Sequence, residues 1–213
     1  IFVGKVCYKL FAKVTVVGKH NIPKKGSVLI VSNHTANMDP AMLAVMLPRT
    51  INFVGKTELF KSKISAILMK GLHVIPIRRF SLDRKGLVRV FEAIEQGKAI
   101  GFFPEGTRSG PSGLKKGNRG AAYIASKSGV SVIPVGISGT SKINSYLRFP
   151  FPFTKIVVNI GEAIHIDIEN WRIVHIATSR GVSFEGRFPR ARGRATPKMR
   201  ESANIEVVLE EIK

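Results

Sequence analysis

Apolar positions in this 213-residue chain fall into short runs rich in β-branched residues, separated by longer stretches of helical period. The runs lie at residues 14–17, 28–31, 52–54, 74–77, 99–103, 132–137 and 155–160. Between them, Asp39 and Pro40 open an apolar helical segment over 41–47, with Asp39 as N-cap and Pro40 at the first helical position. Residues 57–70 predict a helix with Thr57 as its cap and Gly71 as its stop; 81–96 behaves similarly before Gly97, and 117–128 before Gly129. Strands alternating with helices of this length predict an α/β fold, a mostly parallel central sheet flanked by helices. Chemistry in such sheets gathers beyond the carboxyl ends of the strands.

The run 28–31 ends in the polar turn Ser32-Asn33-His34-Thr35-Ala36-Asn37-Met38-Asp39. His34 leaves the strand end, and the turn can fold Asp39 back towards it. A carboxylate that accepts one ring N–H fixes the tautomer and leaves the other nitrogen to take a proton from a bound hydroxyl. This is half of a serine triad without the serine. Because no Ser or Cys carries a nucleophile-elbow signature, the activated hydroxyl is expected to be the substrate's own, with direct transfer and no acyl-enzyme. The plainer alternative is that Asp39 only caps its helix and His34 is a satisfied turn residue.

Two other strand ends carry cationic groups. Arg78 and Arg79 follow Val74-Ile75-Pro76-Ile77, and Pro104-Glu105-Gly106-Thr107-Arg108-Ser109-Gly110 follows the run at 99–103. Arginine presents a planar fork that matches phosphate oxygens, and glycines let backbone N–H groups approach an anion closely. Lys115-Lys116-Gly117 then leads into a helix N-terminus, a further anion-friendly position.

Charge extends the picture. A formal net charge of +20 and a pI near 10.6 draw the protein towards something anionic: a phosphorylated substrate, an acidic protein, a membrane surface or nucleic acid. A single cysteine, Cys7, excludes an intramolecular disulfide and a multi-cysteine zinc site, and reads as a small apolar residue. His20, His73, His165 and His175 have no Cys or carboxylate at ligand spacing, so no metal is expected. Lys5, Lys9 and Lys13 recur every four positions among apolar neighbours, which predicts an amphipathic helix over 1–13. That helix either lies on an anionic membrane surface or packs on the domain; three lysines make it a poor span. The lone cysteine suits a reducing, cytosolic face, and the first residue is Ile rather than Met; the expected location is the cytoplasmic face of the cell membrane, peripheral or anchored by a missing N-terminal segment.

Taken in order, Asn33-His34-x4-Asp39-Pro40, Val74-Ile75-Pro76-Ile77-x-Arg79, Phe103-Pro104-Glu105-Gly106-Thr107-Arg108-Ser109 and Val132-Ile133-Pro134-Val135 resemble the four motif blocks of glycerolipid acyltransferases, closest to bacterial 1-acyl-sn-glycerol-3-phosphate acyltransferases. The resemblance covers roughly residues 10–165 and assigns the acyltransferase domain to 14–170. It implies that His34 is the general base for the 2-hydroxyl of lysophosphatidic acid, which attacks the thioester of acyl-CoA or acyl carrier protein, and that Asp39 orients the imidazole. It implies that Arg79 and Arg108 grip the glycerol phosphate, that Glu105, Gly106 and Thr107 shape that pocket, and that Lys56 reaches the phosphate. Pro134 is assigned to the acyl channel, and backbone N–H groups near the first and third blocks to the oxyanion. Position 78 is often acidic in relatives and is Arg here. No cofactor is implied beyond the acyl donor. The partners implied are lysophosphatidic acid and an anionic bilayer surface, with no nucleic acid. Glycerol 3-phosphate or another lysophospholipid is the alternative acceptor.

After residue 170 the chain changes character. Residues 1–170 hold 8 Arg and 17 Lys, whereas 171–213 hold 7 Arg and 2 Lys. The span 180–200 lacks periodicity and reads as a disordered basic tail, with a short terminal helix suggested by Ile205, Val208, Leu209 and Ile212. Nothing in it resembles the usual ending of these enzymes; a lineage-specific tail and a reading-frame disturbance fit its composition equally. The tail and the pI also motivate a more distant alternative, a basic nucleic-acid-binding protein, although no helix-turn-helix, zinc-finger or aromatic RNA-binding signature is present.

Overall fold

A computed structural model describes residues 12–78, 83–108, 117, 119–140 and 154–165, together with the backbone of four strands between 171 and 211. Strand β2 (Val28–Ser32) is buried along its whole length. Its alternating side chains feed two cores: Ile30 packs on one face of the sheet with Met42, Leu43, Phe53 and Ile137, and Leu29 and Val31 on the other with Val90, Ile94, Ile100 and Ile124. A strand covered on both faces needs apolar residues at every position, which is why its pattern is a continuous run rather than an alternation.

Around β2 lie β1 (Ala12–Val17), β3 (Ile51–Lys56), β4 (Ile75–Ile77), β5 (Ala99–Phe102), β6 (Val132–Ser138) and β7 (Thr154–Ile160). They form a 7-stranded sheet in the order β1-β7-β6-β2-β5-β3-β4. Strands β2 to β6 are mutually parallel, whereas β7 runs antiparallel to β6 and carries β1 parallel to itself at the edge. The expected mostly parallel sheet flanked by helices is therefore the observed one.

The helices are α1 (Asp39–Met46), α2 (Lys63–Gly71), α3 (Arg84–Glu95) and α4 (Gly120–Ser128). The first covers one face of the sheet and the last two pack on the other. All four helix starts differ from expectation, and α4, expected from 117, begins at Gly120. Asp39 is already helical rather than the cap, since its carboxylate turns back to the preceding loop. The segment expected as one helix over 57–70 is a 3-10 turn, Thr57–Phe60, followed by α2; the Ser65 hydroxyl donates to Leu59 O across 2.5 Å and stitches the two pieces. Helix α3 starts at Arg84, capped by Asp83, whose carboxylate accepts from Gly86 N.

The expected helix over 1–13 falls largely on residues 1–11, outside the described ones; Ala12 and Lys13 belong to β1. The tail departs from expectation. Its described residues form strands β8 (Trp171–Arg180), β9 (Phe184–Pro189), β10 (Ala195–Arg200) and β11 (Ala203–Glu211), with β8 antiparallel to β11 and β9 antiparallel to β10. The expected disorder and terminal helix are thus corrected to paired strands. A register shift between Val208 and Leu209 interrupts the period of two, which lets the apolar positions of β11 mimic helical spacing.

Candidate active site

Among the described residues, the buried polar side chains are Ser32, Asn33, Asp39, Glu105 and Thr140. All lie at or just beyond the carboxyl ends of β2, β5 and β6. Buried polar groups need partners; Asn33, Glu105 and Thr140 find theirs across this edge, and Asp39 finds its own within the loop after β2. Asn33 grips β6: its Nδ2 donates to Ile137 O at 2.8 Å, and its Oδ1 accepts Ile137 N–H at 2.6 Å. The hydroxyls of Thr35 and Thr140 share a hydrogen bond that adds a second tie to β6.

These ties hold the loop that presents His34. Asp39 Oδ2 lies 3.0 Å from His34 Nδ1 and also accepts the backbone N–H of Thr35 and of Ala36, each at 2.7 Å. One oxygen thus closes the turn and points the imidazole, so the loop and the ring cannot move independently. Asp39 is fully buried and the His34 side chain is 17% exposed. The second carboxylate oxygen, Oδ1, is buried without a hydrogen-bond partner. With Nδ1 turned to Asp39, Nε2 is the ring nitrogen directed away from the carboxylate.

Phe103 and Glu105 complete the setting. The His34 and Phe103 rings lie 4.5 Å apart between centroids, and Phe103 stacks in turn on Phe53 at 6.0 Å. Gly101 makes room for this column: a Cβ there would come within 2.5 Å of the Phe53 ring. The carboxylate of Glu105 accepts the backbone N–H of His34 at 3.2 Å, so its observed partner is the histidine loop. Gly106 closes the turn from Phe103 with a φ of 63°, a conformation glycine adopts without penalty. Thr107 and Arg108 follow it, both exposed.

Strand registers place the remaining candidates. Val31 pairs with Phe102, Phe53 with Gly101 and Lys56 with Ile77, so His34, Glu105, the end of β3 and Arg78 sit at one level of the sheet. Strand spacing of ~4.8 Å puts the backbone of Lys56 about 10 Å, and that of Arg78 about 14 Å, to the side of His34. Arg78 is exposed, and its backbone N–H donates to Asp83 at 2.8 Å. Arg79 lies outside the described residues. The structure therefore joins His34, Asp39 and Glu105 directly and places Lys56, Gly106, Thr107 and Arg108 along the same edge. Asn33, Phe103 and Thr140 were not among the expected site residues. Asn33 and Phe103 lie inside the quoted motif blocks, whereas Thr140 has no signal beyond its strand-end position. Among the described residues, no group of three or more His, Cys, Asp or Glu could hold a metal ion, and no helix is long and apolar enough to cross a membrane.

Comparison with known proteins decides the family. The acyltransferase family matches residues 13–138, more than half of the chain. The chain belongs to that family. It is 34% identical over 138 residues to a chloroplastic 1-acyl-sn-glycerol-3-phosphate acyltransferase of Arabidopsis thaliana, a match that covers 62% of this chain and 38% of that one. The crystal structure of the 1-acyl-sn-glycerophosphate acyltransferase PlsC from Thermotoga maritima is similar in fold, with a TM-score of 0.64, 29% identity, and coverage of 77% of this acyltransferase chain and 68% of that one. The C-terminal segment has a different likeness. Residues 155–210 match the ribosomal protein L22p/L17e family. A 99-residue stretch is 40% identical to the large ribosomal subunit protein uL22 of Methanoculleus marisnigri, covering 46% of this chain and 60% of that one. That family match starts inside β7, a strand paired on both sides within the acyltransferase sheet.

Proposed function

We propose that this chain transfers a fatty acyl group from acyl-CoA or acyl carrier protein to the 2-hydroxyl of 1-acyl-sn-glycerol 3-phosphate. The observation that carries the reading is the 3.0 Å contact of Asp39 Oδ2 with His34 Nδ1 in a loop level with two cationic strand ends, those bearing Lys56 and Arg78. His34 Nε2 takes the hydroxyl proton as the oxygen attacks the thioester carbonyl. The new C–O ester bond forms, the C–S bond breaks, and the proton passes from His34 to the departing sulfur. Positioned base catalysis contributes ~10²- to 10⁴-fold, and orientation and oxyanion stabilisation supply the rest.

Lys56, Arg79 and Arg108 hold the phosphate, Thr107 adds a hydroxyl, and Gly106 keeps backbone near the anion. Glu105 acts on the histidine loop. Binding a phosphate to the side of His34 leaves the glycerol hydroxyl at the imidazole, which favours a glycerol-phosphate acceptor. The reaction would run at a membrane surface without a cofactor.

The test is acyl transfer to lysophosphatidic acid from acyl-CoA and, separately, from acyl carrier protein, with wild type against His34→Ala. Turnover in the wild type, lost in the variant with its thermal transition intact, supports the reading and names a donor. Near-normal turnover in the variant removes the general-base role.

The similarity of residues 155–210 to uL22 supports a second reading for the C-terminal segment alone, association with the large ribosomal subunit. Co-sedimentation of the chain with purified large subunits, compared with a chain ending at residue 170, tests it. Equal sedimentation of the two would discard it.

A further inference from the structure

Helix α2 is turned inside out. Ile64, Ile67 and Leu68 are 74%, 70% and 59% exposed, whereas Ser65, Ala66 and Met69 on its other side are partly covered. At 100° per residue the three apolar side chains fall within about a 100° arc, together with Gly71. An amphipathic helix on a water-facing surface would reverse this arrangement, because exposing bulky aliphatic side chains forfeits the gain from burying them.

The polar surroundings have one sign. Lys63 and Lys70 are exposed along one edge of the arc and Lys61 in the turn before the helix, and no residue from 61 to 71 is acidic; Glu58 in the preceding 3-10 turn is the nearest acid in sequence. Helix α2 follows β3 through the 3-10 turn Thr57–Phe60, so the segment leaves the sheet at the end where His34 lies. An apolar strip with lysines along one edge and at its start complements a surface with an apolar interior and an anionic rim.

Two other coverings fit less well. The chain's own residues 1–11 precede β1, at the sheet edge opposite β4, six strand spacings or about 29 Å away. That segment carries Lys5 and Lys9, which would meet the lysines of α2 as like charges. A second copy docked through the same face would likewise bring Lys61, Lys63 and Lys70 against their equivalents.

We propose that the Ile64, Ile67 and Leu68 face of α2 inserts into the surface of an anionic bilayer, with Lys61, Lys63 and Lys70 on the headgroups, and that this contact brings the His34 end of the sheet to the membrane. The inference deepens the acyltransferase reading by naming the surface that meets the lipid.

The experiment is flotation of the full chain with vesicles of phosphatidylcholine, with and without phosphatidylglycerol. It compares wild type, the triple variant Ile64→Gln, Ile67→Gln and Leu68→Gln, and Val88→Gln, which removes an exposed apolar residue of α3. The triple variant is expected to bind mixed vesicles on the order of tenfold to a hundredfold more weakly, with an unchanged thermal transition, while Val88→Gln binds as wild type. Lys→Gln changes at 61, 63 and 70 are expected to weaken binding about fivefold each and to flatten its salt dependence. Equal binding by the triple variant overturns the proposal, as does equal binding to both vesicle types. A wild-type dimer that the triple variant converts to monomer overturns it in favour of self-association. Activity towards a short-chain lysophosphatidate monomeric in solution is measured in parallel and is expected to survive the triple change. Because flotation needs no turnover, failure of the catalytic reading and failure of the docking face give different results.

Discussion

Glu105 accepts the backbone N–H of His34 at 3.2 Å, so the turn beyond β5 holds the loop beyond β2. The contact fixes the backbone from which the imidazole projects. A carboxylate engaged in this way acts on geometry, and a displacement near 1 Å at a catalytic group can cost about 10²-fold in rate. Glu105→Ala is expected to lower kcat by roughly 10- to 100-fold with little change in KM for lysophosphatidate. Glu105→Gln keeps an oxygen acceptor and is expected to restore most of the activity. Steady-state kinetics of the two variants check this; a large rise in KM with unchanged kcat would instead place Glu105 on the substrate.

The triple use of Asp39 Oδ2 separates its electrostatic role from its structural one. Asp39→Asn keeps an oxygen for the N–H groups of Thr35 and Ala36 but removes the charge that stabilises a protonated His34. It is expected to fold with a transition close to wild type and to lose ~10²- to 10⁴-fold in kcat. Asp39→Ala leaves both N–H groups without their acceptor, at about 1–3 kcal/mol each, and is expected to melt well below the wild type. Thermal unfolding followed by circular dichroism, beside the kinetics, tests the split. Equal melting of the two variants would mean that the turn does not depend on this oxygen.

The reach of the fold into the site is tested at Gly101. A Cβ there would meet Phe53 Cδ1 at 2.5 Å and Ile51 Cγ2 at 2.9 Å. Phe53 must then move, and its stack passes through Phe103 to the His34 ring. Gly101→Ala is expected to cost about 1–3 kcal/mol and to lower kcat by more than its effect on folding explains. Urea unfolding and single-turnover transfer under conditions where the variant is fully folded measure the two effects separately. A destabilised variant with wild-type turnover would show that the aromatic column does not set the imidazole.

The legible part of this site was the local part. His34 and Asp39 are 5 positions apart, and the strand run before them and the Asp39-Pro40 helix start after them bring the pair together within a single turn. Glu105 was visible as a residue but not as a partner of His34, because the bond spans 71 positions and depends on β2 pairing with β5. The tie of Thr35 to Thr140 spans 105 positions and leaves no trace in local pattern. The sheet was readable because strands buried on both faces are continuous apolar runs. The exposed apolar face of α2 was hidden for the opposite reason: the spacing of Ile64, Ile67 and Leu68 marks one side of a helix without saying whether that side meets the core or the outside. The tail misled because scattered arginine, glycine and proline mask strands whose pairing lies across the chain, as between Trp171 and Glu211.

Asp83 links the loop after β4 to the start of α3, and its ionisation gives the fold a pH dependence. Its carboxylate accepts Arg78 N–H at 2.8 Å and Gly86 N–H at 3.0 Å. These bonds, the Arg78 bond first, hold the Asp83 carboxyl below its ordinary range, with the charges of Arg78 and Arg89 adding to them. A carboxyl with a lower pKa in the folded than in the unfolded chain stabilises the fold when ionised. That contribution is fully present above the unfolded pKa of ~3.9 and is lost as pH falls through the folded value. Asp83→Asn retains one acceptor for the helix cap and has no charge to lose. The wild type is therefore expected to be the more stable of the two at neutral pH, with the gap closing below about pH 4. Urea midpoints for both proteins from neutral pH down to ~pH 3 read the gap directly. A gap that stays constant through the acid range would show that Asp83 acts through packing alone; one that closes ties the ionised carboxylate to the loop bearing the second-block arginines, and predicts that lysophosphatidate KM rises in Asp83→Asn at neutral pH.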